Sequence, residues 1–252
     1  MSLMNEISES GELEALVPER VWNELEQAMG EPYPSRFILA LRACHALKIL
    51  FPEIERLFGI PQPKKYHPEI DTGIHTLMSL NQASRLSQDP QIRFATLVHD
   101  LGKGTTAKEK LPGHHGHEER GVKLVEALCK RYRAPKQYKE LAIDVSRHHL
   151  SCHRIEEMRA ETILKKLESM DAFRRPERFE KFLICCEADA RGRTGFEDRD
   201  YPQADYFKKS LEAANEIDTE SLEQQCLTGK AMGTAIKEAR TTAISEAMAI
   251  KS

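Results

Sequence analysis

Ile92-Arg93-Phe94-Ala95-Thr96-Leu97-Val98-His99-Asp100-Leu101-Gly102-Lys103 is a run of apolar residues that ends on two adjacent polar side chains and a glycine. Asp89-Pro90 precedes it, an acceptor for free amides followed by a residue suited to the first helical position. The segment therefore predicts a helix that is apolar nearly all round and runs through the centre of its domain, with Gly102 as its stop. His99 and Asp100 then lie at its negative end, where dipole and carboxylate both favour a cation. Two buried polar side chains need a partner there, and one divalent ion satisfies both an imidazole and a carboxylate.

Outward from this helix the same period recurs and strand signals are almost absent, which predicts an all-α fold. Upstream, a first helix is expected from Pro18, with Val21, Leu25 and Ala28 on one face, and a second from Ser35 to Leu50. Gly59-Ile60-Pro61-Gln62-Pro63-Lys64 reads as a linker. Asp71 or Thr72 caps the next helix, which places His75 near its first turn. Downstream, residues 104–118 read as a loop, and helices are expected at 119–131, 136–149, 160–169 and 178–190. Asp198–Gln203 is a polar break, with Gly229 and Gly233 as punctuation further on.

Composition narrows the class. Of 252 residues, 40% are hydrophobic and 31% charged, and the formal net charge of −3 gives no global attraction to nucleic acid. Locally the balance reverses: residues 1–60 hold ten acids and five bases, whereas residues 101–180 hold thirteen acids and eighteen bases, so the middle suits an anion. The six cysteines lack C-x-x-C spacing and read as reduced thiols. No apolar run approaches the roughly 18 residues of a membrane span, and the start lacks a signal peptide, so a cytoplasmic setting without a membrane partner is expected.

Eight of the ten histidines fall between His75 and His153. His75, His99, Asp100 and Asp189 are the candidate ligands, drawn from successive helix ends and from a late helix rich in small and polar residues. Water and a phosphate oxygen would complete such an ion, which is the chemistry of metal-assisted phosphoester hydrolysis. Lys103, Arg191 and Arg193 are candidate phosphate-binding cations, and Lys103 is also a candidate catalytic residue. His114 or His117 is expected to assist the leaving oxygen.

His75, His99-Asp100-Leu101-Gly102-Lys103, the histidine-bearing loop, His148-His149 and Asp189 resemble the pattern of the HD phosphohydrolase superfamily. That resemblance implies His75, His99, Asp100 and Asp189 as metal ligands. For members with two metals it implies further ligands at His117 and His149, with His114, His115 and His148 as competing choices. The metal would be divalent, Mg²⁺, Mn²⁺ or Ni²⁺, with the choice open.

Glu69-Ile70-Asp71-Thr72-Gly73-Ile74-His75-Thr76-Leu77-Met78, His114-His115-Gly116-His117 and Glu187–Gly195 resemble more closely the C-terminal half of bacterial multifunctional CCA-adding enzymes. These are tRNA nucleotidyltransferases with an HD domain, and Glu19-Arg20-Val21-Trp22-Asn23-Glu24 is similar to their neck helix. The resemblance implies a helical neck or body remnant in 1–47, an HD phosphohydrolase domain in 48–195 and a helical tail in 196–252. It further implies action on 2′,3′-cyclic and 2′-phosphates of nucleotides or of a tRNA 3′ end. Residues 1–252 contain no Gly-Gly turn with paired aspartates, so nucleotide transfer is not expected of this chain. Two other readings stand beside this one. One is a stand-alone HD nucleotidase. The other is a tRNA-binding helical platform with a vestigial metal site, in which the basic middle and Leu227–Gly233 meet phosphates.

Overall fold

Prolines open six of the helices in the computed structural model, which describes residues 2–218 and 229–249. In chain order the helices are α1 (Ser2–Glu9), α2 (Pro18–Gly30), α3 (Pro34–Ala43), α4 (Leu47–Leu50), α5 (Pro52–Glu55), α6 (Thr72–Leu86) and α7 (Pro90–Val98). There follow α8 (His117–Arg131), α9 (Lys136–His153), α10 (Ala160–Ser169), α11 (Pro176–Arg191), α12 (Pro202–Asn215) and a last described helix, Lys230–Ala249. Among the described residues there is no strand, only an isolated bridge between Pro61 and Asp71. The all-α expectation holds.

The chain divides into two compact units. One holds the described residues up to His149 together with Ile184–Asp200; the other holds Leu150–Leu183 and the described residues from Tyr201 on. In the first, α7 is central, as its sequence predicts: Ile92 through Val98 are all buried. Trp22 of α2 meets Phe94 of α7 edge-on at 5.1 Å and Tyr138 of α9 at 5.0 Å, and Leu25, Ile38, Phe51, Ile54 and Leu80 fill the core around them. Such aromatic pairs add to the stabilisation from burial itself. In the second unit Phe179, Phe182 and Phe207 form the main aromatic cluster.

Several local expectations need correction. The helix expected over 35–50 breaks at Cys44-His45-Ala46, because His45 takes a left-handed φ of 62°. A 3-10 turn, Leu101–Thr105, continues directly from His99-Asp100, so Gly102 does not stop a helix by left-handed geometry. Its reason is space: a Cβ there would lie 1.9 Å from the His117 carbonyl oxygen. His117 begins α8 rather than ending a loop, and Gly233 sits inside the last described helix rather than punctuating it. Leu227 and Thr228 of the expected phosphate-facing segment lie outside the described residues. Arg93, buried in an otherwise apolar helix, donates to the carbonyls of Met29 and Glu31 at 2.7 Å and of Ser87 at 2.9 Å. It thus satisfies the open C-terminal carbonyls of α2 and α6.

Candidate metal centre

Local chemistry fixes where each helix delivers its side chain. Asp71 caps α6 by accepting from the Ile74 amide at 2.9 Å and also accepts from the Gly59 amide at 2.6 Å. His75 is thereby held in the first turn, fully buried. Asp89 caps α7 through the Gln91 amide, and the helix runs out at His99-Asp100. His117 opens α8, His149 lies on α9, and Asp189 lies in the last turn of α11. All of these belong to the first unit.

Four imidazoles share one arrangement. Nδ1 of His75, His99, His117 and His149 lies 3.0, 2.7, 2.9 and 3.0 Å from the carbonyls of Gly192, Thr96, His114 and Val145. A carbonyl only accepts, so Nδ1 carries a proton in each ring, and Nε2 turns inward towards carboxylates with which it can share either a proton or a cation. The four Nε2 atoms face two carboxylates. His75 Nε2 is 2.9 Å and His99 Nε2 3.7 Å from Asp189 Oδ1, and His99 Nε2 is 3.2 Å from Asp100 Oδ2. On the other side of the same carboxylate, Asp100 Oδ1 is 3.2 Å from His117 Nε2 and 3.6 Å from His149 Nε2. Among the described residues no hydrogen-bond partner meets the buried atoms His99 Nε2, His117 Nε2 and Asp100 Oδ1.

This donor set fits a divalent cation. Candidate ligand atoms of His75, His99 and Asp100, of His99, His149 and Asp189, and of Asp100, His117 and His149 lie within 4.8 Å of one another in each group. Two ligand atoms at roughly 2.1 Å from one ion are separated by at most about 4.2 Å, so small side-chain movements close the sets. The groups overlap at His99, Asp100 and His149, and the two oxygens of Asp100 face different imidazoles.

Electrostatics point the same way. Burial lowers the His99 imidazole, but Asp100 and Asp189 beside it more than offset this and raise it to about 9. Burial raises Asp100, yet Lys103 and His99 hold it well below the usual carboxylate range. Burial keeps His149 neutral. The field that draws a proton to His99 would equally draw a metal ion.

Most of the residues singled out from the sequence converge here. Lys103 is buried and its ammonium is 2.6 Å from Asp100 Oδ2. Arg193 approaches Asp189 Oδ1 at 3.7 Å, and its buried Nε has no hydrogen-bond partner among the described residues. Arg191 turns elsewhere: it pairs with Glu187 at 2.9 Å and donates to the Arg199 carbonyl at 3.0 Å. His114 has both nitrogens engaged, Nε2 with the Pro61 carbonyl at 3.0 Å and Nδ1 with the Thr106 hydroxyl at 2.8 Å. Burial lowers its pKa, so it is a neutral strut between the loop and the Pro61 segment. His115 is exposed.

The sequence leaves Glu69 open between a helix cap and a support behind the ligands, and it gives Gln62 no role at all. Glu69 Oε1 lies 3.0 Å from His75 Nδ1 and 3.1 Å from His67 Nδ1. Burial raises the Glu69 carboxyl, but these two contacts outweigh it and keep it ionised, a carboxylate that orients His75 from behind. Gln62, in the supposed linker, is buried and accepts from Lys103 Nζ at 2.8 Å. Its burial shows that the segment between Gly59 and Lys64 is not a solvent-exposed connection, and no local signal in the sequence marks it.

Residues 72–183 match the HD-domain family. This span of the chain is similar to HD domains over 112 of the 252 residues. Its domain is of the metal-dependent phosphohydrolase type, and the matched span contains His75, His99-Asp100, His117 and His149 while ending before Asp189. Residues 3–58 match a second family, described as a probable RNA and SrmB-binding site of polymerase A. Among curated relatives, a protein of Thioalkalivibrio sulfidiphilus named Multifunctional CCA protein is 59% identical over 97% of this chain and 60% of its own length. Proteins of the same name from Nitrosococcus oceani and Methylococcus capsulatus are 54% and 51% identical, over 98% and 99% of this chain and 61% and 59% of their own lengths. The chain spans about 60% of the length of the curated relatives it matches. Among the described residues no helix is long and apolar enough to cross a membrane.

Proposed function

We propose that this chain is the metal-dependent phosphohydrolase module of a multifunctional CCA protein, acting in the cytoplasm on 2′,3′-cyclic and 2′-phosphates of nucleotides or tRNA 3′ ends. In this reading 1–47 are helical neck or body, 48–195 the hydrolytic domain and 196–252 the tail. The observation that carries it is the Asp100 carboxylate, whose two oxygens face His99 on one side and His117 and His149 on the other, with all three imidazoles held in the ligating tautomer.

His75, His99, Asp100 and Asp189 would hold one cation, and His117 and His149 with Asp100 a second. A divalent ion there, Mg²⁺, Mn²⁺ or Ni²⁺, would supply an activated water and polarise phosphorus. The protein's own groups do the rest. Lys103 and Arg193 would neutralise the phosphate, and the burial of Lys103, Asp100 and Asp189 strengthens such charge interactions. Lys103 is the group we assign to assist the departing oxygen, since both nitrogens of His114 are occupied and His117 faces Asp100. Hydrolysis of 2′,3′-cyclic AMP with added Mn²⁺ or Ni²⁺ tests the reading. Turnover by the wild type and none by Asp100→Ala supports it; equal rates for the two proteins reject it.

The match of residues 3–58 to an RNA-binding family favours a second role beside the first, a helical platform for tRNA. It predicts salt-sensitive tRNA binding that survives His75→Ala. No binding at low salt would remove it.

A further inference from the structure

Gln62 is 2% exposed and sits in the Gly59–Asp71 segment, which is pinned at both ends. Its own amide donates to the Ile70 carbonyl at 2.7 Å, the Thr72 amide donates to the Ile60 carbonyl at 2.9 Å, and Pro61 and Asp71 form the bridge. Prolines on both sides of Gln62 fix the neighbouring φ angles. Ile70 adopts a left-handed φ of 63°, an arrangement that a β-branched residue takes only where surrounding contacts hold it. The side chain of Gln62 is therefore placed by a rigid backbone.

Its orientation is settled by chemistry. Lysine has three donors and no acceptor, so the atom 2.8 Å from Lys103 Nζ must be the carbonyl oxygen Oε1. The NH₂ group is then the other end of the same amide. Among the described residues no acceptor reaches it. A buried donor in that state is costly, and Gln62 lies one hydrogen bond from an ammonium that itself contacts Asp100.

We propose that Gln62 is a substrate-binding residue, whose side-chain NH₂ donates to a non-bridging phosphate oxygen held beside Lys103. The inference rests on the phosphohydrolase reading for its substrate class. Its chemistry needs only an oxyanion next to Lys103. The glutamine has two functions in this arrangement. Its oxygen fixes the Lys103 ammonium between Asp100 and the substrate, and its nitrogen supplies a neutral, directional donor that reads oxygen position where a lone ammonium would read only charge. Arg193, whose buried Nε also lacks an acceptor among the described residues, is the second group able to contact the same anion.

The test is calorimetric titration of the whole chain with inorganic phosphate and with adenosine 2′-monophosphate, in the presence of Mn²⁺, alongside titration with Mn²⁺ alone. Gln62→Met removes the donor without adding charge, and Gln62→Glu keeps the acceptor for Lys103 while losing the donor. Both variants are expected to bind the two phosphate probes about 10- to 100-fold more weakly than wild type, the range for a hydrogen bond to a charged group. Mn²⁺ affinity of Gln62→Met is expected to stay within about twofold, because Gln62 is not one of the candidate ligands. Unchanged phosphate affinity in Gln62→Met overturns the proposal. So does a parallel loss of phosphate and Mn²⁺ affinity, which would make Gln62 a structural support, and so does a wild type that binds neither probe. A wild type that binds phosphate but leaves 2′,3′-cyclic AMP intact rejects the proposed reaction and leaves the assignment of Gln62 standing.

Discussion

Gly102→Ala is the substitution whose consequence can be worked most directly from distances. The added Cβ would stand 1.9 Å from the His117 carbonyl oxygen, 2.8 Å from its carbon and 2.7 Å from the Gly121 nitrogen. All three are backbone atoms of α8, so no rotamer change relieves the clash. Ordinary contact begins at 3.4 Å, so the start of α8 must withdraw by about 1.5 Å. Overpacking of this kind costs about 1–3 kcal/mol, and at about 2–4 °C per kcal/mol the midpoint should fall by roughly 2–12 °C. The same withdrawal, directed along the contact, stretches His117 Nε2 to Asp100 Oδ1 from 3.2 Å to about 4.7 Å. That exceeds the roughly 4.2 Å that two ligands of one ion can span. Metal binding should therefore lose the component that depends on His117 and keep the one formed by His75, His99 and Asp189. Thermal unfolding with and without chelator, and titration with Mn²⁺, read both effects. Gly30→Ala, where a Cβ meets nothing within 4 Å, is the control and should be neutral or slightly stabilising. A Gly102→Ala protein with wild-type midpoint and wild-type metal binding would refute the packing argument.

Other expectations follow from single contacts. Arg93→Met strips the donors from the Met29, Glu31 and Ser87 carbonyls and should cost about 2–5 kcal/mol by denaturant titration; a loss below about 0.5 kcal/mol would mean that water replaces it freely. Asp71→Ala removes the α6 cap and the acceptor for Gly59, an expected loss of about 1–2 kcal/mol, checked by the same titration. Burial raises the Cys129 thiol to about 12. The folded state then keeps that proton to higher pH than the unfolded chain, so its contribution to stability declines as pH rises from about 8.5 towards 12. Cys129→Ala should flatten that decline. Saturating Mn²⁺, at about 100 times its dissociation constant, should stabilise the wild type by about 2.7 kcal/mol, and Asp100→Ala should abolish the gain; equal gains in both would show that the ion binds elsewhere.

What was legible in the sequence was what local chemistry decides. Asp89-Pro90 and Asp71 are caps because their side chains reach amides two and three residues away, and the helices they start deliver His99-Asp100 and His75 as expected. The apolar period of Ile92–Val98 alone marked the central helix. Long-range partners were not legible. Arg93 answers carbonyls more than sixty residues earlier, and Gln62 meets Lys103 forty-one residues later, so each looked like an exception or a linker when read alone. Arg191 and Arg193 are alike in composition, yet the end of α11 turns one to Glu187 and the other to Asp189. Gly102 stands out in the sequence as a helix stop, but its requirement comes from α8, which folds against it from the next segment. The break at His45 depends on a left-handed backbone that histidine does not advertise.

The central claim is that the imidazole and carboxylate cluster between α6, α7, α8, α9 and α11 holds a divalent cation. Anomalous scattering from crystals grown with Mn²⁺, recorded on either side of the manganese edge, tests it most directly. A peak is expected within the bounds of His75, His99, Asp100 and Asp189, with any second peak on the His117 and His149 side of Asp100. A folded protein with no peak in this cluster, or with peaks only elsewhere, would contradict it.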